Sequence, residues 1–258
     1  MAAVRPSRVL ACMALALAAC SSPPESVARD PLIARVNRVV VAPLNLAVRT
    51  PAELAGKGEP VWHELLRYFQ NLDKSVAVIA PASAEALWIE ATMDLDLADR
   101  GQALRTARTR FARLLAKHRA HDVLVMPSLV LRPARMHGRY ASWDGVRRAA
   151  LDSADLIAPG IADIAYPPGS TWVSGLYGKI SAASLHVAVL LPDGTPLYEG
   201  VGGLALTRSP HHDARKKGWT AELRPEPFAD PDHLREGIEL AFAGAPSKRS
   251  RPVATARR

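Results

Sequence analysis

The amino-acid sequence predicts an α/β fold, in which one domain builds a mixed β-sheet with helices packed on its faces. In the first half of the chain, short β-branched runs alternate with segments of helical periodicity, the order typical of parallel strands joined by helices. In the second half, hydrophobic runs are joined by tight turns, which indicates antiparallel hairpins. A hydrophobic content of 48% over 258 residues is sufficient for a globular core.

The first strand is predicted over Val36 to Leu44, a β-branched run that Pro43 terminates. Pro60 suits the first turn of the helix that follows. The apolar stripe of this helix contains Trp62, Leu65, Leu66, Phe69 and Leu72. A second strand is predicted over Val76 to Ala80, and Ser83 is the expected N-cap of the next helix.

The clearest helix is predicted over Gln102 to Arg119, where apolar residues recur at helical spacing and His118 closes the apolar stripe. Its other faces carry basic residues with no acidic residue among them: Arg105, Arg108, Arg110, Arg113, Lys117 and Arg119. A solvated face is the ordinary explanation of such a pattern. The alternative is a surface for phospholipid headgroups or an acidic partner, formed by Arg110, Arg113 and Lys117.

A third strand is predicted from Val123 to Leu131. Asp144-Gly145 is a hairpin-turn signal, so a hairpin arm is expected over Gly138 to Arg148. Two later strands, Ser184 to Leu191 and Pro196 to Leu206, flank a strong turn signal at residues 192–195. The last helix is predicted over Pro231 to Ala243, with Asp230 as its cap.

The start of the chain carries an export signal. Arg5 and Arg8 precede an uncharged run, Val9 to Ala19, that has signal-peptide length and is too short to span a bilayer. The run ends in Leu17-Ala18-Ala19-Cys20, which closely resembles the lipobox of bacterial lipoproteins. This resemblance implies cleavage before Cys20 and triple acylation of that residue, which would make membrane attachment practically permanent. A soluble secreted protein and an uncleaved helix are the alternatives.

Four segments are therefore predicted: a signal peptide (1–19), a lipidated cysteine with its tether (20–35), a globular domain (36–245) and a basic, disordered tail (246–258). Ser21 and Ser22 replace the aspartate that retains such lipoproteins at the inner membrane, which favours the periplasmic face of the outer membrane in a Gram-negative host. Because Cys12 and Cys20 are the two cysteines, the mature domain has no thiol for a disulfide, a zinc site or catalysis.

The formal net charge is +8, and the C-terminal tail carries much of it. An exported protein does not meet nucleic acid, so no nucleic-acid partner is expected. The tail is either solvated or in contact with anionic lipid or lipopolysaccharide.

Four segments carry a resemblance to a known group: Arg38 to Leu44, Val76 to Ile79, His121 to Val125, and the hairpin closed by Asp193 to Gly200. Together they resemble envelope lipoproteins whose domain is similar to the amino-terminal domain of the Tol-system propeller protein. That group includes activators of penicillin-binding proteins and the curli secretion-channel lipoprotein. The resemblance implies a non-catalytic domain that binds a partner or forms an assembly. An insert, residues 139–179, departs from the minimal pattern.

Catalytic and metal-binding patterns are weak. His211-His212-Asp213 is the best metal candidate, with His186 or His233 as a further ligand, but an ordinary polar loop is the favoured explanation. An acidic trio, Asp152, Asp155 and Asp163, does not have EF-hand spacing. Neither Ser128 nor Ser174 has the setting of a catalytic nucleophile. No cofactor and no enzymatic activity are expected.

Exposed aromatic residues are frequent partner contacts, and Trp143, Trp172 and Tyr177 fall in predicted loops of the insert, while Trp219 falls in a later loop. We therefore expect a lipid-anchored adaptor or assembly factor that uses the insert, together with Arg110, Arg113 and Lys117, to bind an unidentified envelope protein. The alternatives are an oligomeric secretion-channel subunit and a metal-dependent envelope hydrolase.

Overall fold

A computed structural model describes residues 36–96, 98–151, 177–213 and 218–243. Within these ranges the strands are β1 (Arg38–Val41), β2 (Ser75–Val78), β3 (Val123–His137), β4 (Tyr140–Trp143), β5 (Val146–Ala149), β6 (Tyr177–Leu190), β7 (Pro196–Leu206), β8 (Arg208–Asp213) and β9 (Gly218–Leu223). The helices are a 3-10 helix (Ala52–Leu54), α1 (Glu59–Gln70), α2 (Pro81–Thr92), α3 (Arg100–His118) and α4 (Pro231–Phe242).

The central sheet, as far as the structure describes it, has seven strands and is mixed. Strand β1 lies between β2 and β3 and runs parallel to both. On its other side β3 pairs antiparallel with β6, and β6 pairs with β7. The prediction of a single α/β domain with a mixed sheet is therefore confirmed.

Helices cover both faces of this sheet because side chains alternate along each strand. On β6, Leu185, Val187 and Val189 face a core that α1 and α4 complete. Their neighbours Ala188 and Leu190 face a second core beneath α2 and α3. No helix among the described residues has both the length and the apolarity required to cross a bilayer.

Strand β3 is long enough to serve two parts of the sheet. Its first residues pair with β1 and its last three with β4. Between these two segments, the backbone of Leu129 bonds to the side chain of Asn45 and not to another strand. Asn45 Nδ2 donates to the Leu129 carbonyl (3.0 Å), and Leu129 N–H donates to Asn45 Oδ1 (2.9 Å). Asn45 has a φ of 61°, which asparagine tolerates better than most residues.

The β4–β5 hairpin folds back over the sheet and encloses a third core, in which Trp143 is 7% exposed. The predicted Asp144-Gly145 turn is confirmed, with φ values of 35° and 86°, and the Asp144 carbonyl accepts from Gly203 N–H of β7 (3.1 Å). Trp143 was predicted to lie in an exposed loop, and this is wrong. Its Nε1 donates to the buried carbonyl of Ala183 (3.2 Å), so its indole packs in the arm and does not offer a partner contact.

Helix α4 lies unusually close to β7. The predicted cap is confirmed, since the Asp230 carboxylate accepts from the N–H groups of Asp232 and His233. A Cβ on Gly202 would collide with the carbonyl of Gly237, and one on Gly237 would collide with the carbonyl of Gly203. Glycine is therefore required on both sides of this contact, because the two backbones touch.

Three local predictions were wrong. Helix α2 begins at Pro81, with Ala80 at its N-cap, so Ser83 lies inside the first turn and does not cap the helix. A polar loop was predicted from His211 to Gly218, but the described residues at its two ends, 211–213 and 218, belong to β8 and β9, which pair with each other. His118 is exposed at the end of α3 and does not close an apolar stripe.

Glu53 ties the 3-10 helix to two strands. Its Oε1 accepts from Arg208 Nε (3.0 Å) and Nη2 (2.7 Å), and its Oε2 accepts from the hydroxyls of Ser181 and Thr207 (3.1 Å each). The hydrogen bond from Arg208 is the largest effect on this carboxylate, and it lowers the pKa of Glu53 below the ordinary value of 4.5. The charged form is thus favoured in the folded state.

A Glu53→Gln variant is expected to lose part of the acid sensitivity of folding. Because the folded-state pKa lies below the unfolded one, the stabilisation from Glu53 is complete above about pH 4.5 and disappears as the pH falls through the lowered pKa. When the free energy of unfolding in urea is plotted from pH 7 to pH 3, it should fall less steeply at acid pH for Glu53→Gln than for the wild type. The exposed Glu222→Gln is the control, and an equally steep fall in all three proteins would contradict the prediction.

Candidate functional site

A row of basic side chains crosses four strands at the far end of the sheet. In register, Arg135 of β3 lies opposite Lys179 of β6 and opposite Ser142 of β4, and Ser142 lies opposite Arg147 of β5. Paired residues project to the same face of an antiparallel sheet. We call this row, together with Tyr140, the distal face. Arg135, Ser142, Arg147 and Lys179 are all exposed.

Among the described residues, the cations of the distal face have no carboxylate partner. None of the ion pairs between described residues includes Arg135, Arg147 or Lys179. On the opposite face of the same strands, by contrast, Arg132 pairs with Asp144 (3.1 Å) and Arg148 with Glu236 (2.6 Å).

Like charges on directly opposite residues destabilise a sheet, so the pairing of Arg135 with Lys179 works against folding. An acidic ligand would remove this repulsion.

Tyr140 organises part of the row. The guanidinium carbon of Arg147 lies 4.3 Å from the centroid of its ring, and that of Arg139 lies 5.1 Å away. Stacking on an aromatic ring restrains a guanidinium while leaving its N–H edges able to bind an acceptor. Guanidinium groups in this state bind carboxylates through paired hydrogen bonds.

A second polar cluster lies on the α3 side of the sheet and corrects one prediction. Arg108 was expected on a solvated helix face, but it is 7% exposed, and its Nη1 is 2.8 Å from Glu199 Oε1. The reason is that this residue, in the third turn of α3, faces the sheet, where Glu199 of β7 meets it. His186 lies nearby, and burial, followed by the charge of Arg108, lowers its pKa below 6.5.

His186 does not activate Ser128 as a nucleophile in this cluster. Ser128 is opposite His186 in register and is buried, but within the described part of the chain the two side chains form no hydrogen bond. Because its pKa is lowered, His186 is neutral near pH 7. Because it does not bond to Ser128, it has no serine hydroxyl to activate in this cluster.

The predicted metal candidates are separated. His211, His212 and Asp213 lie in β8, His186 in the central sheet, and His233 in α4, where its Nδ1 is 3.2 Å from Asp230 Oδ2. Among the residues that the structure describes, no three His, Cys, Asp or Glu side chains come together as a metal site. The acidic trio Asp152, Asp155 and Asp163 lies outside the described residues, and so do Cys20, Trp172 and Ser174.

The remaining predicted partner contacts lie in two places. Tyr177 begins β6 opposite His137, next to the distal face, and Trp219 lies in β9. Arg110, Arg113 and Lys117 follow one another at helical spacing on the exposed side of α3. Because α3 covers the Leu190 end of β6 and the distal face contains Lys179, these two groups lie at opposite ends of that strand.

The sequence prediction selected the aromatic residues of the insert, whereas the structure buries Trp143 and exposes Arg147 of the insert and Arg135 before it. The signal in the sequence was the alternation of Arg135, Ser142 and Arg147 with apolar residues in β3, β4 and β5. Comparison with known proteins adds nothing here, since the sequence matches no protein-family model and no curated protein sequence.

Proposed function

We propose that this protein is a bacterial lipoprotein anchored through acylated Cys20, whose periplasmic domain binds an acidic cell-envelope partner as a non-catalytic adaptor or assembly factor. The observation that carries the proposal is the row of exposed cations on the distal face, Arg135, Arg147 and Lys179, which form no ion pair with another described residue. The lipobox-like sequence before Cys20 supports the anchor and a location on the periplasmic side of the outer membrane.

The partner is expected to be a protein segment rich in Asp and Glu. Guanidinium groups held on a flat sheet can pair with carboxylates along an extended segment, whereas a small anion would need an enclosing pocket. Such complementarity mainly sets specificity and the association rate.

The distal face would point away from the membrane. The tether enters the domain beside Asp122, whose Oδ2 accepts from the N–H groups of Asn37 and Arg38 (2.9 Å each). From there β3 runs to Arg135, a distance of about 40 Å at the rise of an extended strand. A partner beyond the reach of the lipid headgroups is thus accessible.

The test is photo-crosslinking in cells that make the full-length protein with a photoreactive residue at Ser142. We expect one crosslinked envelope protein, and the double variant Arg135→Glu/Arg147→Glu should reduce its yield by about tenfold or more, because like charges then face the acidic partner. The control Arg49→Glu/Arg100→Glu reverses two exposed arginines elsewhere.

Equal loss in both double variants would overturn the distal face as the binding surface, and so would an unchanged yield in the first. A ladder at multiples of the chain's own mass would instead favour the oligomeric secretion-channel alternative.

A further inference from the structure

Helix α2 is apolar on the side that faces away from the sheet. Ala84 and Ala91 are buried against the core, yet the opposite side carries Ala82, Ala86, Ile89 and Met93, spaced as one stripe and all exposed. Ile89 is 59% exposed and Met93 is 58% exposed. A surface helix normally turns its apolar stripe toward the core, so this second stripe lacks a covering partner among the described residues. On α2 itself the exposed Glu85 and Glu90 flank the stripe.

Basic residues border this stripe on the side that faces α3. Arg110 of α3 donates from its Nη1 to the carbonyl of Met93 (3.0 Å), which holds its guanidinium beside the end of α2. Arg119 donates from its Nη1 to the carbonyl of Val78 (3.3 Å), next to another exposed apolar side chain.

The two helices and the residue that follows α3 together expose six arginine or lysine side chains and two carboxylates. These are Arg100, Arg105, Arg110, Arg113, Lys117, Arg119, Glu85 and Glu90. We call the outer surface of α2 and α3 the α2–α3 face. An apolar stripe with a basic border is the pattern of helices that lie in a membrane interface.

The same face lies where the tether joins the domain. Helix α3 ends at His118, and four residues later Asp122 binds the backbone of Asn37 and Arg38. Fully extended, residues 20–35 span at most about 55 Å. An anchor at Cys20 would therefore hold the domain within that distance of the bilayer, attached at the end where the basic end of α3 lies.

We propose that the α2–α3 face docks on the anionic phospholipid surface in which the chain is anchored. Ile89 and Met93 enter the headgroup boundary, while Arg110 and Lys117 contact lipid phosphates. The inference rests on the proposed anchoring at Cys20. Docking would fix the orientation of the domain on the membrane, with the distal face pointing away from the bilayer.

Site-specific fluorescence tests the docking. The lipidated full-length variant Ile89→Cys carries a bimane label and is reconstituted in vesicles that contain a lipid-borne quencher. The matched control is Leu223→Cys, an exposed apolar position (52%) in β9, outside the central sheet. One vesicle set is pure phosphatidylcholine, and the other has equal parts phosphatidylcholine and phosphatidylglycerol.

In the anionic vesicles we expect quenching several-fold stronger at residue 89 than at residue 223. Arg110→Glu/Lys117→Glu should weaken the docked population by about tenfold or more, because each cation near an anionic surface contributes roughly fivefold. Met93→Cys is the second labelling position if Ile89→Cys does not fold. Equal quenching at the helix position and at residue 223 would overturn the docking.

The mass of the purified protein separates this inference from the proposed function. An unacylated Cys20 would overturn the anchor, and flotation of the same full-length protein with anionic vesicles would then decide the docking by itself. Acylation with equal quenching would leave the anchor in place and overturn only the docking.

Discussion

Gly202→Ala is expected to lower the free energy of unfolding by about 3 kcal/mol, because overpacking at this site has no flexible neighbour to displace. The added methyl would collide with the carbonyl of Gly237 and lie 2.8 Å from the backbone nitrogen of Ala241. Both atoms belong to α4, so the helix would have to move away from β7 and give up packing around Ile238 and Phe242.

Gly237→Ala provides the internal check on this explanation. In an exposed helix interior, alanine is favoured over glycine by about 1 kcal/mol. Here the methyl would meet the Gly203 carbonyl and lie 2.8 Å from Leu204 Cδ2, so we expect destabilisation instead. Because both variants force the same two backbones apart, their effects should not add in the double variant.

Urea unfolding followed by circular dichroism measures both effects. Gly56→Ala is the control, since its φ is 72° but no atom lies within 4 Å of the added methyl. That variant should cost only about 1 kcal/mol, from backbone strain alone. Wild-type stability in Gly202→Ala would contradict the close approach of α4 and β7.

Trp143→Ala is expected to cost about 3–5 kcal/mol, the usual range for deleting a buried tryptophan. The indole fills the third core between the hairpin arm and β7, and its removal would leave a cavity against Val146 and Gly203. Trp143→Phe keeps most of the apolar packing but leaves the Ala183 carbonyl without its donor, at a cost of about 1–3 kcal/mol.

The informative result is that Trp143→Ala should lower the free energy of unfolding more than Trp143→Phe does. Denaturant unfolding of the two variants should be accompanied by Ser142→Ala, an exposed neighbour whose change should stay within about 0.5 kcal/mol. A Trp143→Ala protein as stable as the Ser142→Ala protein would mean that the indole is solvent-exposed and would restore it as a partner contact.

Much of the fold could be predicted because its signals are local. The run Val39 to Val41 is buried between two parallel strands, so it is apolar without alternation. Pro60 does start α1, and the turns at Asp144 and Gly194 do contain residues with positive φ. Each of these features depends on a few consecutive residues.

The errors came from contacts between distant residues. Trp143 is in a short strand beside a turn, which predicts exposure, and only the return of the arm onto β7 buries it. Arg108 has the same helical surroundings as Arg110, yet Glu199, ninety-one positions later, holds it inside the fold. Hydrophobic periodicity in a single segment contains no information about such partners.

For the proposed binding surface, the sequence prediction pointed to the insert and to its aromatic side chains, and it did not use strand register. Arg135, Ser142 and Arg147 form a row only after three strands are aligned, and no spacing along the chain encodes that alignment. Trp172 remains a predicted contact, outside the described residues.

The length of β3 has a mechanical consequence. A pull between the tether at Asn37 and a partner on the distal face acts along the strand axis. The load would pass from β1 to β3 through three paired positions, which it loads in shear, and then along the covalent backbone of β3 to Arg135. The short β1–β3 pairing near the tether would therefore limit the force, while β6, paired with β3 at fourteen positions, keeps β3 in the sheet.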